Sequence, residues 1–450
     1  MEKTTSLHEK IIRHINYRYR EFENRNDEEL LINSFSNGDC TNMVVESKLR
    51  LCRLLNYSVD KIPYYKKLSI QLAKDEDPID MLKRFPIMNR EILRDNYDDL
   101  LSPQRRFYLH YHSKTSGTTG IPLEFVSMGP NGEKAHQSFL YKCILDDYNT
   151  RIDCEKIVSF GGAYLPDELT EKKVFWVNET PSVYGSELFS SFYVLRENIP
   201  YIISELERKQ PYIIRGYPTV VSLLVDYCQE LGIRPNIDIR GIYLTSENVD
   251  PAQMKKIAKF FNCGVHGQYG HAEAAVFGFT KDCDTKYYCS PLYGYTRVVD
   301  SNGNDVPIGQ IGEVAVTGLS NYAMPFINYK TGDLAEFGGY ENGFVVLNRI
   351  IGRCQDYVVN EDGEKIFIVV GQLSECFSEA MNHVESWQAV QDEKGMITLR
   401  IIKKDVYTQD DENRIKEMLL ESKVHTEFEY VNSINLTNNG KRKYVINNIV

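Results

Sequence analysis

The chain has 450 residues, of which 42% are hydrophobic and 26% charged, and its formal net charge is −11. That length exceeds what one hydrophobic core ordinarily serves, so two domains are expected. The acidic balance argues against a nucleic-acid partner, which needs clustered Lys and Arg. The segment Met1-Glu2-Lys3-Thr4-Thr5 lacks a hydrophobic signal core, and no run approaches the roughly 18 apolar residues of a bilayer span, so the expectation is a cytoplasmic protein without a membrane span. Ten scattered cysteines form no framework, which fits free thiols in a reducing compartment.

Residues 6–70 carry long amphipathic patterns, for example Leu49, Leu51, Leu54 and Leu55, and are expected to be helical. From 105 to about 350, short apolar runs alternate with helical periods, the pattern of an α/β domain. Within it, Thr115-Ser116-Gly117-Thr118-Thr119-Gly120-Ile121-Pro122-Leu123 combines four hydroxyl side chains with two glycines. Amides beside glycine can approach an anion, and hydroxyls can donate to phosphate oxygens. The P-loop pattern is absent, because no Lys follows the second glycine, and alone the tract reads as a surface loop. Ile157–Phe160 and Gly241–Leu244 have the character of buried strands. Asp250-Pro251 opens a helix with Met254, Ile257, Ala258 and Phe261 on its apolar face, Asp as cap and Pro in the first turn.

Three further segments carry polar groups suited to nucleotide chemistry. The first is Gln268-Tyr269-Gly270-His271-Ala272-Glu273, the second Tyr329-Lys330-Thr331-Gly332-Asp333-Leu334, and the third Arg349-Ile350-Ile351-Gly352-Arg353-Cys354-Gln355-Asp356, followed near the end by Asn439-Gly440-Lys441. Singly, Tyr269 reads as a half-buried aromatic, Asp333 as a cap or turn residue and Lys441 as a solvated lysine. Residues 295–350 are expected to be β-rich, with a turn at Ser301–Asn304 and a strand at Glu313–Thr317. After Asp356 a smaller α+β unit is expected, with strands near 366–370 and 397–402 and a helix near 411–421.

Taken together and in this order, these motifs resemble the adenylate-forming superfamily of acyl-CoA synthetases, luciferases and peptide-synthetase adenylation domains. Leu123, where most of that superfamily carries lysine, resembles the phenylacetate–CoA ligase and capsular-polysaccharide (CapK-like) branch. So do Leu188–Phe192, Ile214–Thr219, Leu244–Glu247 and the spelling Gly352-Arg353-x-Gln355-Asp356-Tyr357. The resemblance spans roughly residues 45–450. It implies a large N-terminal domain, residues 1–354, that binds nucleotide and acyl group, and a small mobile α+β C-terminal domain, residues 355–450, hinged at Gln355.

The resemblance also assigns roles. Thr115, Ser116, Gly117, Thr118, Thr119 and Gly120 would hold phosphates; Ser246, Glu247, Gln268, Tyr269, Gly270, Asp333 and Arg353 would hold the rest of ATP or AMP. Asp333 would accept from both ribose hydroxyls, and Glu273 would meet magnesium, a hard cation that prefers oxygen. Lys441 would be the catalytic lysine. The acyl pocket would draw on Tyr184, Phe189, Arg215 and Tyr217, which hints at an aromatic or medium-sized acid. The implied reaction joins a carboxylic acid to the α-phosphate of Mg·ATP, then passes the acyl group to a thiol (CoA or a carrier) or an amine. Surface-polysaccharide synthesis is a setting suggested by analogy alone. The competing reading is a nucleotide-binding scaffold without catalysis, prompted by Leu123 and Gln355, against which stand Glu273, Asp333, Arg353 and Lys441. Cys263, His266, His271, Cys283 and Cys289 bracket the Tyr-Gly motif, but without a C-x-x-C pair they read as buried thiols and polar histidines rather than as structural zinc ligands. A monomer or homodimer is expected.

Overall fold

A computed structural model describes residues 7–115, 123–353, 357–366, 383–434 and 443–449. The N-terminal segment is helical as its periodicity predicts, in long helices Leu7–Asn37 and Thr41–Lys61. The second buries Met43, Ser47, Leu51, Leu54, Leu55 and Ser58, a stripe at three- and four-residue spacing. Leu49 falls off that stripe and is 53% exposed. The Arg50–Asp27 ion pair, 2.6 Å, ties the two helices together.

Among the described residues, twelve strands form one sheet. Its half built from Gly185–Ser190, Ile157–Gly161, Ile213–Gly216, Gly241–Thr245 and Gly264–Gly270, in that spatial order, is parallel. Strand side chains alternate between faces, and here both faces are apolar. Val158, Ile214, Ile242 and Leu244 pack under helices Ile199–Lys209, Pro218–Glu230 and Pro251–Phe261. Ile157, Ile213 and Tyr243 face helix Glu133–Leu145 through Phe139, Leu140 and Ile144. Helix Pro251–Phe261 starts as expected, with the Asp250 carboxylate accepting from the Ala252 and Gln253 amides. Its buried face is Met254, Ile257 and Phe260, while Phe261 is half-buried.

Beyond Gly264–Gly270 the sheet turns antiparallel through Phe277–Thr280, Tyr287–Cys289, Phe344–Arg353, Tyr329–Glu341, Ile311–Gly318 and Gly294–Val299. The predicted strand Glu313–Thr317 lies inside Ile311–Gly318. The C-terminal unit is a four-stranded sheet, His425–Tyr430, Met396–Lys403, Val384–Glu393 and Val445–Asn447, against which helix Gln409–Glu421 places Ile415 and Leu419. A capping box between Thr408 and Asp411 starts that helix. Lys365–Ile366 pairs with Val358–Val359, and the rest of the expected strand 366–370 lies outside the described residues. This is the expected class: a large α/β domain and a small α+β domain. The expected junction at 354/355 also lies outside the described residues. The two parts touch where the Tyr227 hydroxyl donates to Glu385 Oε1 at 3.1 Å.

Candidate active site

In a parallel sheet, loops leaving the carboxyl ends of the strands converge on one edge and commonly hold ligands. Here those loops carry Tyr217, Ser246–Glu247 and Gln268–Gly270, directly after strands Ile213–Gly216 and Gly241–Thr245 and at the end of Gly264–Gly270. Ser246 is exposed and has φ +71°, left-handed backbone that a non-glycine residue holds only under constraint. The Glu247 carboxylate accepts from the Thr219 amide at 3.2 Å and hydroxyl at 2.7 Å, fixing the start of helix Pro218–Glu230. Thr245 Oγ1 donates to Gln268 Oε1 at 2.7 Å. At Gly270 a Cβ would stand 2.5 Å from Gln268 Nε2, so a side chain there would displace the Gln268 amide.

Two carboxylates anchor the site, each held by a tyrosine from the other's motif. The Tyr269 hydroxyl donates to Asp333 Oδ2 at 2.7 Å, and the Tyr329 hydroxyl donates to Glu273 Oε1 at 3.0 Å. Strand pairing sets Asp333 directly opposite Arg353, so Arg353 Nε reaches Asp333 Oδ1 at 3.0 Å while its terminal nitrogen donates to the Thr331 carbonyl. Gly332, with φ +82°, lies where strand Tyr329–Glu341 shifts register against Ile311–Gly318, between Lys330 and Leu334. Both carboxylates are buried, Asp333 to 6% exposure and Glu273 to 3%. Burial alone raises a carboxyl pKa. For Glu273 the His271 imidazole, with Nδ1 3.2 Å from Oε2 but off the line of a hydrogen bond, its own backbone amide and the Tyr329 hydroxyl outweigh burial and hold it at about 2. Burial, then the Asp333 charge, pushes the Tyr269 phenol well above its ordinary range.

One residue absent from the sequence reading joins this group. Arg90 lies near Tyr329, where its charge counters the rise that burial and then Glu273 impose on the phenol, and the Met88–Tyr329 β-bridge sets its place. It comes from a segment without a recognisable motif; only the pairing of residue 88 with 329 brings it in.

The hydroxyl-rich tract connects strands His110–Lys114 and Glu124–Met128, which pair in register, with the Thr115 amide donating to Leu123 O at 2.9 Å. Thr115 is buried at that closure, and Leu123 is 1% exposed, a core residue where a cation would not fit. Ser116, Gly117, Thr118, Thr119, Gly120, Gln355 and Lys441 lie outside the described residues.

A cavity of about 270 Å³ adjoins the Tyr-Gly motif, bounded by Tyr184, Gln268, Gly270 and His271. Of the four residues expected to form the acyl pocket, Tyr184 lines it. Arg215 stands behind, its guanidinium 5.0 Å from the Tyr184 ring centroid and 5.6 Å from that of Tyr243. Phe189 does not line it: it is fully buried and stacks on Phe160 at 4.9 Å, because its strand is interior to the sheet and covered on both faces. Tyr217 is half-buried and hydrogen-bonds the Gly162 backbone. Cys289 is buried and Cys263 and Cys283 are half-buried free thiols; among the described residues no His, Cys, Asp or Glu side chains converge as three or more metal ligands.

The model of the CapK C-terminal domain matches residues 359–448. The chain is 25% identical to Protein CapK of Staphylococcus aureus, across 91% of this chain and 90% of that protein. It is 24% identical to the phenylacetate-coenzyme A ligase of Pseudomonas putida, across 73% and 76%. The crystal structure of 2-hydroxyisobutyryl-CoA ligase in the postadenylation state superposes with a TM-score of 0.65 at 17% identity, covering 90% of this chain and 89% of that one. The fold, with its site at the junction of the parallel and antiparallel halves, is that of the adenylate-forming enzymes. Within that superfamily, likeness over nearly the full length to CapK and over most of it to phenylacetate–CoA ligase places the chain on the CapK- and phenylacetate–CoA ligase-like branch.

Proposed function

We propose that the chain is an AMP-forming ligase that activates a carboxylic acid with Mg·ATP and passes the acyl group to a thiol, CoA or a carrier, or to an amine. The observation carrying this reading is the pair of buried carboxylates, Glu273 and Asp333, cross-held by Tyr329 and Tyr269 at the carboxyl edge of the sheet. Glu273 fits a magnesium ion, since a carboxylate held at about 2 stays ionised at any working pH, and magnesium needs only one or two protein carboxylates beside substrate phosphates. When bound, that ion would offset charge on the phosphates. Asp333 would accept from the ribose hydroxyls, with Arg353 holding it in place.

In the first step an oxygen of the substrate carboxylate attacks the α-phosphorus. A P–O bond forms, the bond to pyrophosphate breaks, and negative charge gathers on the leaving group. Fixed cations and donors at those oxygens lower the barrier because they need not reorganise. With Leu123 in the core, Arg90 is the cation we assign to the leaving phosphates, beside the hydroxyls of 115–119. Lys441 would bridge the carboxylate and α-phosphate. In the second step the acceptor attacks the acyl carbon and AMP departs, after the small domain has swung about Gln355. A cytoplasmic monomer or homodimer that prepares an acyl group for a surface polysaccharide is the setting we assign.

Exchange of labelled pyrophosphate into ATP, run across a panel of carboxylic acids, tests the reading. Acid-dependent exchange supports it; no exchange with any acid, in protein that still binds ATP, would favour the scaffold.

A further inference from the structure

We propose that the acid this site activates is small and carries a cationic amine, and that Glu133 is the residue that selects it. This rests on the ligase reading above and names its substrate class.

The cavity beside the Tyr-Gly motif holds about 270 Å³, at the small end for ligand sites, and suits an acid of few heavy atoms. Its wall is mainly polar: Asn131, Glu133, Tyr184, Gln268 and His271 contribute, while the apolar part comes from Val276, Phe277 and the ring of Tyr293. That composition differs from an aryl pocket, which would need apolar faces on both sides of a ring. Glu133 is the first residue of helix Glu133–Leu145, where the helix dipole favours a negative side chain. Burial first, and then the nearby Glu133 charge, raise the Tyr184 phenol above its ordinary range. Among the described residues no Lys or Arg makes an ion pair with Glu133. Arg215 lies over the ring of Tyr184, its guanidinium 5.0 Å from the centroid, and is not among the residues that bound the cavity. His271, also in the wall, is at ion-pair distance from Glu273.

The cavity therefore presents one half-buried carboxylate that no Lys or Arg pairs with among the described residues. A partly desolvated charge is costly until paired, so a ligand ammonium gains there what a methyl or hydroxyl cannot. A second ligand carboxylate would be repelled. The reacting carboxylate must reach the nucleotide, and the amine is the group that Glu133 would pair with.

The test is pyrophosphate exchange with matched sets of acids: amino acids with the amine α, β or γ to the carboxylate, their neutral isosteres with methyl or hydroxyl in its place, dicarboxylates, and phenylacetate. The expected result is a kcat/KM for one amine-bearing set about 10-fold or more above its isosteres. In Glu133→Gln that preference should vanish through a rise in KM for the amine acids alone, and Glu133→Lys should shift preference toward dicarboxylates. Tyr184→Phe, which removes the neighbouring hydroxyl, should keep the preference for amines and guards against a fold defect in the Glu133 variants. Exchange led by phenylacetate or by neutral isosteres would overturn the proposal while leaving the ligase reading intact. No exchange with any acid would remove the ligase reading and the proposal with it.

Discussion

Replacing Glu273 by Gln keeps the shape of the side chain and an oxygen for the Tyr329 hydroxyl, but removes the charge. The folded protein holds this carboxyl at about 2 against an ordinary 4.5. A gap of that size is worth on the order of 3 kcal/mol between the ionised and protonated forms. The pKa is depressed on folding, so the stabilisation is fully present above pH 4.5 and is lost as pH falls from there toward 2. Glutamine stands in for the protonated form at every pH. The variant should therefore be less stable than the parent by up to about 3 kcal/mol at pH 7, and the two should converge as pH drops toward 3. Denaturant unfolding of both proteins at pH 7, 5, 4 and 3 measures this. In the same variant, binding of Mg·ATP should weaken and acid-dependent pyrophosphate exchange should fall by about 10²-fold, since the remaining amide attracts a hard cation poorly. Equal stability across the pH range would show that Glu273 is not held as the structure indicates. Unchanged magnesium dependence would take it out of the metal site.

Asp333→Ala should weaken ATP binding by on the order of 1.5–3 kcal/mol, the range for hydrogen bonds to a charged acceptor, and calorimetry at fixed magnesium would read it; an unaltered affinity would exclude the ribose role. Arg90→Ala should lower pyrophosphate exchange by about 10–100-fold and Arg90→Lys by less, whereas parent-like rates in both would leave the phosphates without this cation. Lys441→Ala should cut adenylate formation by about 10²-fold while sparing transfer from a chemically supplied acyl-adenylate; equal loss of both half-reactions would make Lys441 structural.

Motifs that depend on local chemistry were readable from the chain. The Asp250 cap, the strands at 157–161 and 241–245 and the C-terminal helix all follow from short-range patterns, and the structure forms each of them. What escaped depends on which face of an element meets a neighbour. Phe189 sits among pocket-like aromatics in sequence, yet its strand is internal, so the ring is consumed by packing on Phe160. Leu49 extends a run of leucines but lies off the buried stripe of its helix. Arg90 and Glu133 carry no motif at all: a β-bridge between residues 88 and 329 brings in the first, and the placement of one helix end against the sheet brings in the second. Leu123 could be noticed as a missing lysine, but only its burial shows that a cation would not fit at that position.

The crossed tyrosines explain why the two motifs have the same internal spacing. Tyr269 and Glu273 are separated by three residues, as are Tyr329 and Asp333. Each tyrosine reaches across to the other motif's carboxylate, at 2.7 Å for Asp333 and 3.0 Å for Glu273. A buried carboxylate with a single donor would be free to rotate, and either one would then have to be ordered again by the nucleotide. Because each is held by a tyrosine from the motif that carries the other, the two carboxylates keep a set separation. Arg353 lies beside the first carboxylate and His271 beside the second, where the imidazole helps hold Glu273 ionised against its burial. Site geometry and charge state thus come from one set of contacts, and both reside where the parallel half of the sheet gives way to the antiparallel half.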